Sequence, residues 1–331
     1  DTVRVPAGTF VLTLKGPDED GAATGDLDVT DALVLQGAGA SGTVLDGGHL
    51  TTPAPFDRVL DVRFGVVEVR DLRVTGGRLD RGNGGGIRSS GALTLVDVRV
   101  DHNSVTFSGA GIASEPGGGG VPSLVLRRTT VESNSNTEEG TGIYSRGALR
   151  ILDSTLRENR NNDGYGGALD NGGAGEVLDS TLEGNANLCG GGVTNGPSGQ
   201  LVIRRSRIVG NDAFAGGGIR NYGDLRVEDS EVSGNTATEG GGGIANQDGV
   251  ARLVRVTVAA NTTADAASGD CGEPDRGGGL YNSAAGTFSL RDTTVAFNDD
   301  AGGDAPDCSG TYLDRGGNNV GNLTGCSLRV P

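Results

Sequence analysis

Residues 201–235 read LVIRRSRIVGNDAFAGGGIRNYGDLRVEDSEVSGN, and one phrase within them decides the fold. An apolar residue stands three before an Asn twice over, as Ile208…Asn211 and Val232…Asn235. Between the two phrases lies a glycine run, Gly216–Gly218, that ends in a single apolar residue, Ile219. Ahead of each phrase apolar residues alternate with polar ones, Leu201 with Ile203 and Leu225 with Val227. Alternation with period two marks a strand with one buried face.

The same phrase recurs on both sides, as Val100…Asn103, Val131…Asn134, Leu156…Asn159, Leu182…Asn185, Val258…Asn261 and Val295…Asn298. Successive Asn residues are 31, 25, 26, 26, 24, 26 and 37 apart. Residues 67–77 fit the same frame, with Gly77 standing where Asn is expected. A nearly constant period of this length marks a solenoid. Each period has room for one three-sided lap, whose strands pair in parallel with their equivalents one lap on, about 4.8 Å away. Parallel crossovers are right-handed in nearly all proteins. The prediction is therefore an all-β fold: a single-stranded right-handed parallel β-helix, or solenoid, of about ten coils with three short strands per coil, forming a rod on the order of 50 Å long. The expected division of this single domain is N-terminal coils and cap over 1–60, regular coils over 61–300, and a C-terminal cap over 301–331.

Composition agrees with a thin layered core. There are 62 Gly, only 10 Pro, no Trp, 5 Tyr and 7 Phe, too few rings to anchor a compact globule of this size. The net charge of −16 argues against nucleic acid or an anionic membrane as partner, since phosphate binding needs clustered positive charge. No stretch approaches 18 apolar residues, so no transmembrane helix is expected.

The aligned Asn residues 103, 134, 159, 185, 211, 235, 261 and 298 are read as a structural ladder. Identical amides stacked at strand spacing bond to one another and to turn carbonyls. A second row stands two after each Ile-like residue: Ser89, Ser114, Ser145, Asn171, Asn195, Asn221, Asn246 and Asn282. Six before each ladder position runs a charged row, Asp71, Asp97, Arg128, Asp153, Asp179, Arg205, Asp229, Arg255 and Asp292. Interleaved opposite charges favour register, whereas like charges on neighbouring strands repel. The Asp153–Asp179 step is therefore a candidate for Ca²⁺, and no other cofactor is expected. Asp18, Glu19, Asp20, Asp26 and Asp28 form a second acidic group, read as a solvated loop with a weaker claim on a cation.

Four cysteines complete the inventory. Cys308 and Cys326 flank a Gly/Asn-rich tail, where an 18-residue disulfide loop would contribute roughly 3 kcal/mol and pin a cap over the last coil. Cys189 and Cys271 lie three coils apart, so a bond between them requires the 262–276 insertion to fold back. An even cysteine count fits an oxidising compartment. No catalytic or metal residue is assigned with conviction; His49 and His102 are isolated, and Lys15 lies far from the repeats.

GGAL at 166–169, GGGI at 216–219 and the apolar-x-x-Asn phrase resemble the GGA(I/L/V) and FxxN repeats of polymorphic outer-membrane-type proteins. The segments TVRVPAGTF (2–10), TGDLDVTDALVLQGAGASGTVLDGG (24–48) and APDCSGTYLDRGGNNVGNLTGC (305–326) resemble secreted bacterial β-helix proteins of the CSLREA-domain type. The fold is also similar to the pectate-lyase superfamily. The NTD, HG and RIK motifs of pectin hydrolases are missing, and Asp299–Asp300 is the one paired Asp. These resemblances imply a secreted or cell-surface protein with a structural or adhesive role and an extracellular glycan, matrix or surface protein as partner. The alternative they leave open is a polysaccharide lyase or glycoside hydrolase, to which the insertions at 104–110, 115–122 and 262–276 would lend a groove.

Overall fold

The computed structural model describes residues 1–14, 16, 24–48, 57–117, 120–161, 164, 166–264, 271 and 277–330. Strands and turns account for all regular structure, and no helix occurs among the described residues. The chain divides into two compact units, Asp1–Asn161 and Asn162–Pro331.

Each unit repeats one lap. In the first unit a lap runs through strands Ala92–Val96, Arg99–Asp101, Ser104–Val105 and Ile112–Ser114. In the second the equivalents are Gln200–Arg204, Arg207–Val209, Asp212–Ala213 and Ile219–Asn221. Three principal strands per lap match the sequence expectation, and a two-residue strand after the ladder Asn adds a fourth short pairing. Every strand pairs in parallel with its equivalent one lap away: Leu93 opposes Val67 and Leu124, and Leu201 opposes Leu225. The fold is a parallel β-helix.

The interior is filled by aliphatic columns. Val67, Leu93, Leu124 and Leu149 form one column, with Val69, Leu95, Leu126 and Ile151 beside it, none more than 1% exposed. Burying each such side chain stabilises by roughly 1.5–3 kcal/mol, and each five-residue strand of these columns supplies two without any ring. Aromatics enter at the C-terminal end, where the Tyr312 ring lies 5.1 Å from that of Phe288 and its hydroxyl donates to Ser309 O.

The charged row has a role that its sequence pattern did not disclose. All nine of its members are left-handed, with φ between 47° and 56°, because they form the corner between the five-residue and three-residue strands. A second left-handed corner falls one residue before each ladder position, at Gly76, His102, Ser133, Glu158, Gly184, Gly210, Gly234, Ala260 and Phe297. This conformation costs an ordinary L residue roughly 1–2 kcal/mol, and Gly or Asp adopts it most readily. Arg128, Arg205 and Arg255 occupy it nonetheless. Each forms a two-pronged bond to the Asp one lap earlier: Arg128 to Asp97, Arg205 to Asp179 and Arg255 to Asp229. Exposed pairs of this kind contribute little each, so they hold register more than they hold the fold.

Close approach explains the glycine run. A Cβ on Gly218 would sit 2.5 Å from Gly243 O and 3.0 Å from the Asn235 amide nitrogen. Both disulfides form. Cys308–Cys326 joins the parallel-paired strands Cys308–Asp314 and Cys326–Arg329, and Cys189–Cys271 draws position 271 back against Leu188, Phe214 and Ala215.

Candidate functional site

The ladder residues are buried and fully engaged. In the first unit Asn103 donates through its backbone and its amide to Asn134 Oδ1, and Asn134 does the same to Asn159. Gly77 fills the ladder position without a side chain and donates its N–H to Asn103 Oδ1. In the second unit the chain of amides runs Asn185, Asn211, Asn235, Asn261, Asn298 at 2.9–3.1 Å. It ends on Asp307, which sequence reading missed. Asp307 Oδ1 accepts both Asn298 donors, and its Oδ2 accepts the Asn322 N–H of the cap. With its hydrogen bonds used inside the wall, the ladder is scaffold rather than binding surface.

The sequence-based Ca²⁺ candidates differ in their surroundings. Both oxygens of Asp179 are taken by Arg205 at 2.8 and 2.7 Å, and these bonds hold its carboxyl below the usual carboxylate range. Asp153 is a left-handed corner residue of the first unit. His102 is likewise a corner, with Nδ1 2.9 Å from Asp101. Lys15, His49, Asp18, Glu19 and Asp20 lie outside the described residues.

A charged network covers the outward face of the short strands in the first unit. Arg73 holds Asp101 with two bonds of 2.6 and 2.7 Å. Arg99 lies 3.1 Å from Asp101 and 2.6 Å from Glu132, which Arg157 also contacts. Burial alone would raise the Asp101 carboxyl, but hydrogen bonds from Arg73 and His102 and the charges of Arg73 and Arg99 hold it low. Both acids are held by arginines, Asp101 by Arg73 and Arg99 and Glu132 by Arg99 and Arg157.

A different chemistry lies where the three-residue strands Leu27–Val29, Leu60–Val62 and Ile87–Ser89 stack. Their middle residues Asp28, Asp61 and Arg88 stand opposite one another in register. Arg58 is fully buried beside them, 3.0 Å from Asp26 and 3.6 Å from Asp61, while Arg88 grips Asp61 with two bonds. Asp57 is buried in the same group. Burial, followed by the negative charge of Asp57, pushes the Asp26 carboxyl up to about 7 despite Arg58. Sequence reading took Asp26 and Asp28 for a solvated loop. Asp28 lies on a strand and Asp26 is 5% exposed, because parallel stacking brings both against Asp61, more than thirty residues on.

Two tyrosines carry arginine partners. The Arg146 guanidinium lies 3.8 Å from the centre of the Tyr144 ring and is anchored to Glu139 at 2.7 Å. In the second unit Arg220 lies 5.0 Å from the Tyr222 ring and donates to Cys271 O, so the buried disulfide helps seat it. The tyrosines stood at different offsets in the repeat, which hid the pairing: ring and guanidinium exchange places between positions 144/146 and 220/222. Arg78, Ser104, Thr106, Ser135 and Thr137, together with Leu79 and Val105, line a shallow groove of mixed polar and apolar character.

No family model and no curated protein sequence matches the chain. Solved structures similar to it include the A-module of mannuronan C-5 epimerase AlgE4 from Azotobacter vinelandii, at 15% identity and TM-score 0.46, covering 100% of this chain and 90% of that one. The AlgE6 A-module of the same organism follows at 16% and 0.42, covering 97% and 91%. The catalytic domain of a GH87 α-1,3-glucanase, solved with nigerose, is 12% identical at 0.41, covering 96% and 64%. The parallel registers of the chain itself, rather than these likenesses, define its fold.

Proposed function

We propose that the protein is an extracellular β-helix that holds a glycan along an outward polar face of its first unit, without cutting it. The observation that carries this reading is Tyr144, half-buried and faced by Arg146 at 3.8 Å, with Glu139 fixing the guanidinium. An aromatic face accepts the apolar side of a sugar ring, and a planar guanidinium offers several donors to hydroxyl or carboxylate oxygens. Thr137 lines the hydroxyl-rich groove and Glu139, two residues on, anchors the platform, so the same turn serves both. Two disulfides support an oxidising, extracellular setting.

Holding is favoured over cleavage by the state of the acids. General acid catalysis needs a carboxyl protonated near working pH and open to substrate. Asp101 and Glu132 are held by arginines, and Asp26, whose carboxyl is pushed up to about 7, has a side chain with 0% exposure.

Affinity electrophoresis against neutral and uronate polysaccharides tests the proposal, with reducing ends and unsaturated products assayed in parallel. The expected result is retardation by at least one polymer without product release, weakened roughly tenfold in Tyr144→Ala. Absence of retardation by every polymer, or release of products, would sink it.

A further inference from the structure

We propose that Asp26, Asp28 and Asp61 form a binding site for a divalent cation of the hard, oxygen-seeking class that Ca²⁺ represents. One carboxylate oxygen from each of the three lies within 4.8 Å of the others, close enough to share one ion. The donor set is all carboxylate, which suits Ca²⁺ and disfavours metals that prefer imidazole or thiolate.

The second observation is independent of the clustering. Asp26 Oδ1 is buried and has no hydrogen-bond partner, although Oδ2 of the same carboxylate is held by Arg58. A buried carboxylate oxygen without a donor costs free energy unless something positive faces it. With all four carboxylates of Asp26, Asp28, Asp57 and Asp61 ionised, Arg58 and Arg88 leave an excess of two negative charges, which one divalent ion balances. The backbone adds to the demand. Asp28 and Asp61 are directly opposite on neighbouring parallel strands, an arrangement that repels unless neutralised.

Arg88 does not exhaust Asp61. A carboxylate has about four lone-pair sites, and a two-pronged guanidinium occupies one on each oxygen. The arginines thus hold Asp61 and the Oδ2 side of Asp26, and Asp26 Oδ1 is left for the ion. This site goes beyond the proposed glycan contact, which lies at other residues.

The test uses the full chain after chelator treatment, titrated calorimetrically with CaCl₂ and with MgCl₂, with Tb³⁺ luminescence as a second probe. One Ca²⁺ per chain is expected, with weaker Mg²⁺ binding and an upward Tm shift on adding Ca²⁺. Asp26→Asn and Asp28→Asn should each weaken binding at least about tenfold, while the corner variant Asp153→Asn leaves it unchanged. If Asp26→Asn fails to fold, Asp28→Asn, on a half-buried strand position, carries the decision. Absence of heat and luminescence in the native chain, or binding that survives Asp28→Asn unaltered, overturns the proposal.

Discussion

The two units solve the same stacking problem with different side chains. Two residues after each Ile-like position the second unit places Asn171, Asn195, Asn221, Asn246 and Asn282, each amide donating to the next Oδ1 at 2.7–2.9 Å. The first unit places Ser89, Ser114 and Ser145 there, and the hydroxyls of Ser114 and Ser145 are buried without a partner. An amide carries donor and acceptor far enough apart to link neighbours about 4.8 Å away, whereas a hydroxyl is too short. The second unit therefore runs two amide ladders and both disulfides. Both units bury charged residues, Asp26, Arg58, Asp61, Asp101 and Glu132 in the first and Asp170, Arg220, Glu239, Asp300 and Asp307 in the second, each no more than 5% exposed. The first sets one buried arginine against two buried aspartates, Arg58 against Asp26 and Asp61. Neutral ladders are insensitive to pH and tolerate uniform stacking. Buried ions need particular partners, which suits a region that binds something.

The comparison can be broken most forcefully in the second unit. Replacing both Cys189 and Cys271 by Ala opens a loop with a sequence separation of 82, for which a loss of roughly 4 kcal/mol is expected. Urea unfolding would record it, with limited proteolysis locating early cleavage within 162–331. Asn211→Ala should cost about 3 kcal/mol, since it strips Asn185 and Asn235 of ladder partners inside a wall with no access to water. A midpoint unchanged in thermal unfolding would show that the ladder is decorative.

The first unit should respond to acid. The folded pKa of Asp101 is depressed, so its contribution is present above the ordinary carboxylate range and is lost as pH falls through the lowered value. Asp101→Asn should flatten the acid limb of the stability curve of the first unit, followed by hydrogen exchange between about pH 5 and 2. The smallest effect is expected from the combined Ser89→Asn, Ser114→Asn, Ser145→Asn variant, which would extend an amide ladder into the first unit. A gain of about 1 kcal/mol or less is expected, and a loss would mean that the serine row leaves no room for an amide.

Much of this was legible in the chain. The apolar-x-x-Asn phrase located the ladder because a backbone corner with buried amides demands the same residue lap after lap. The alternation Leu93, Leu95 located the core for a similar reason. Asp307 was not legible as the ladder terminus, because it follows Asn298 by nine residues instead of a lap and reaches the position through the cap. The Tyr144–Arg146 platform escaped for want of repetition, and the left-handed state of the charged row because charge alone suggests solvent.

The amino-acid sequence by itself determined the period, the direction of each strand face and the ladder, since these depend on residues a fixed distance apart along the chain. Only the tertiary structure decided which acids are clamped, which are buried and which are crowded. Those states depend on partners one lap away across insertions of unequal length. The same Asp is a corner at 97, an ion pair beneath arginine at 101 and a carboxyl pushed toward neutrality at 26, according to what the neighbouring lap sets against it.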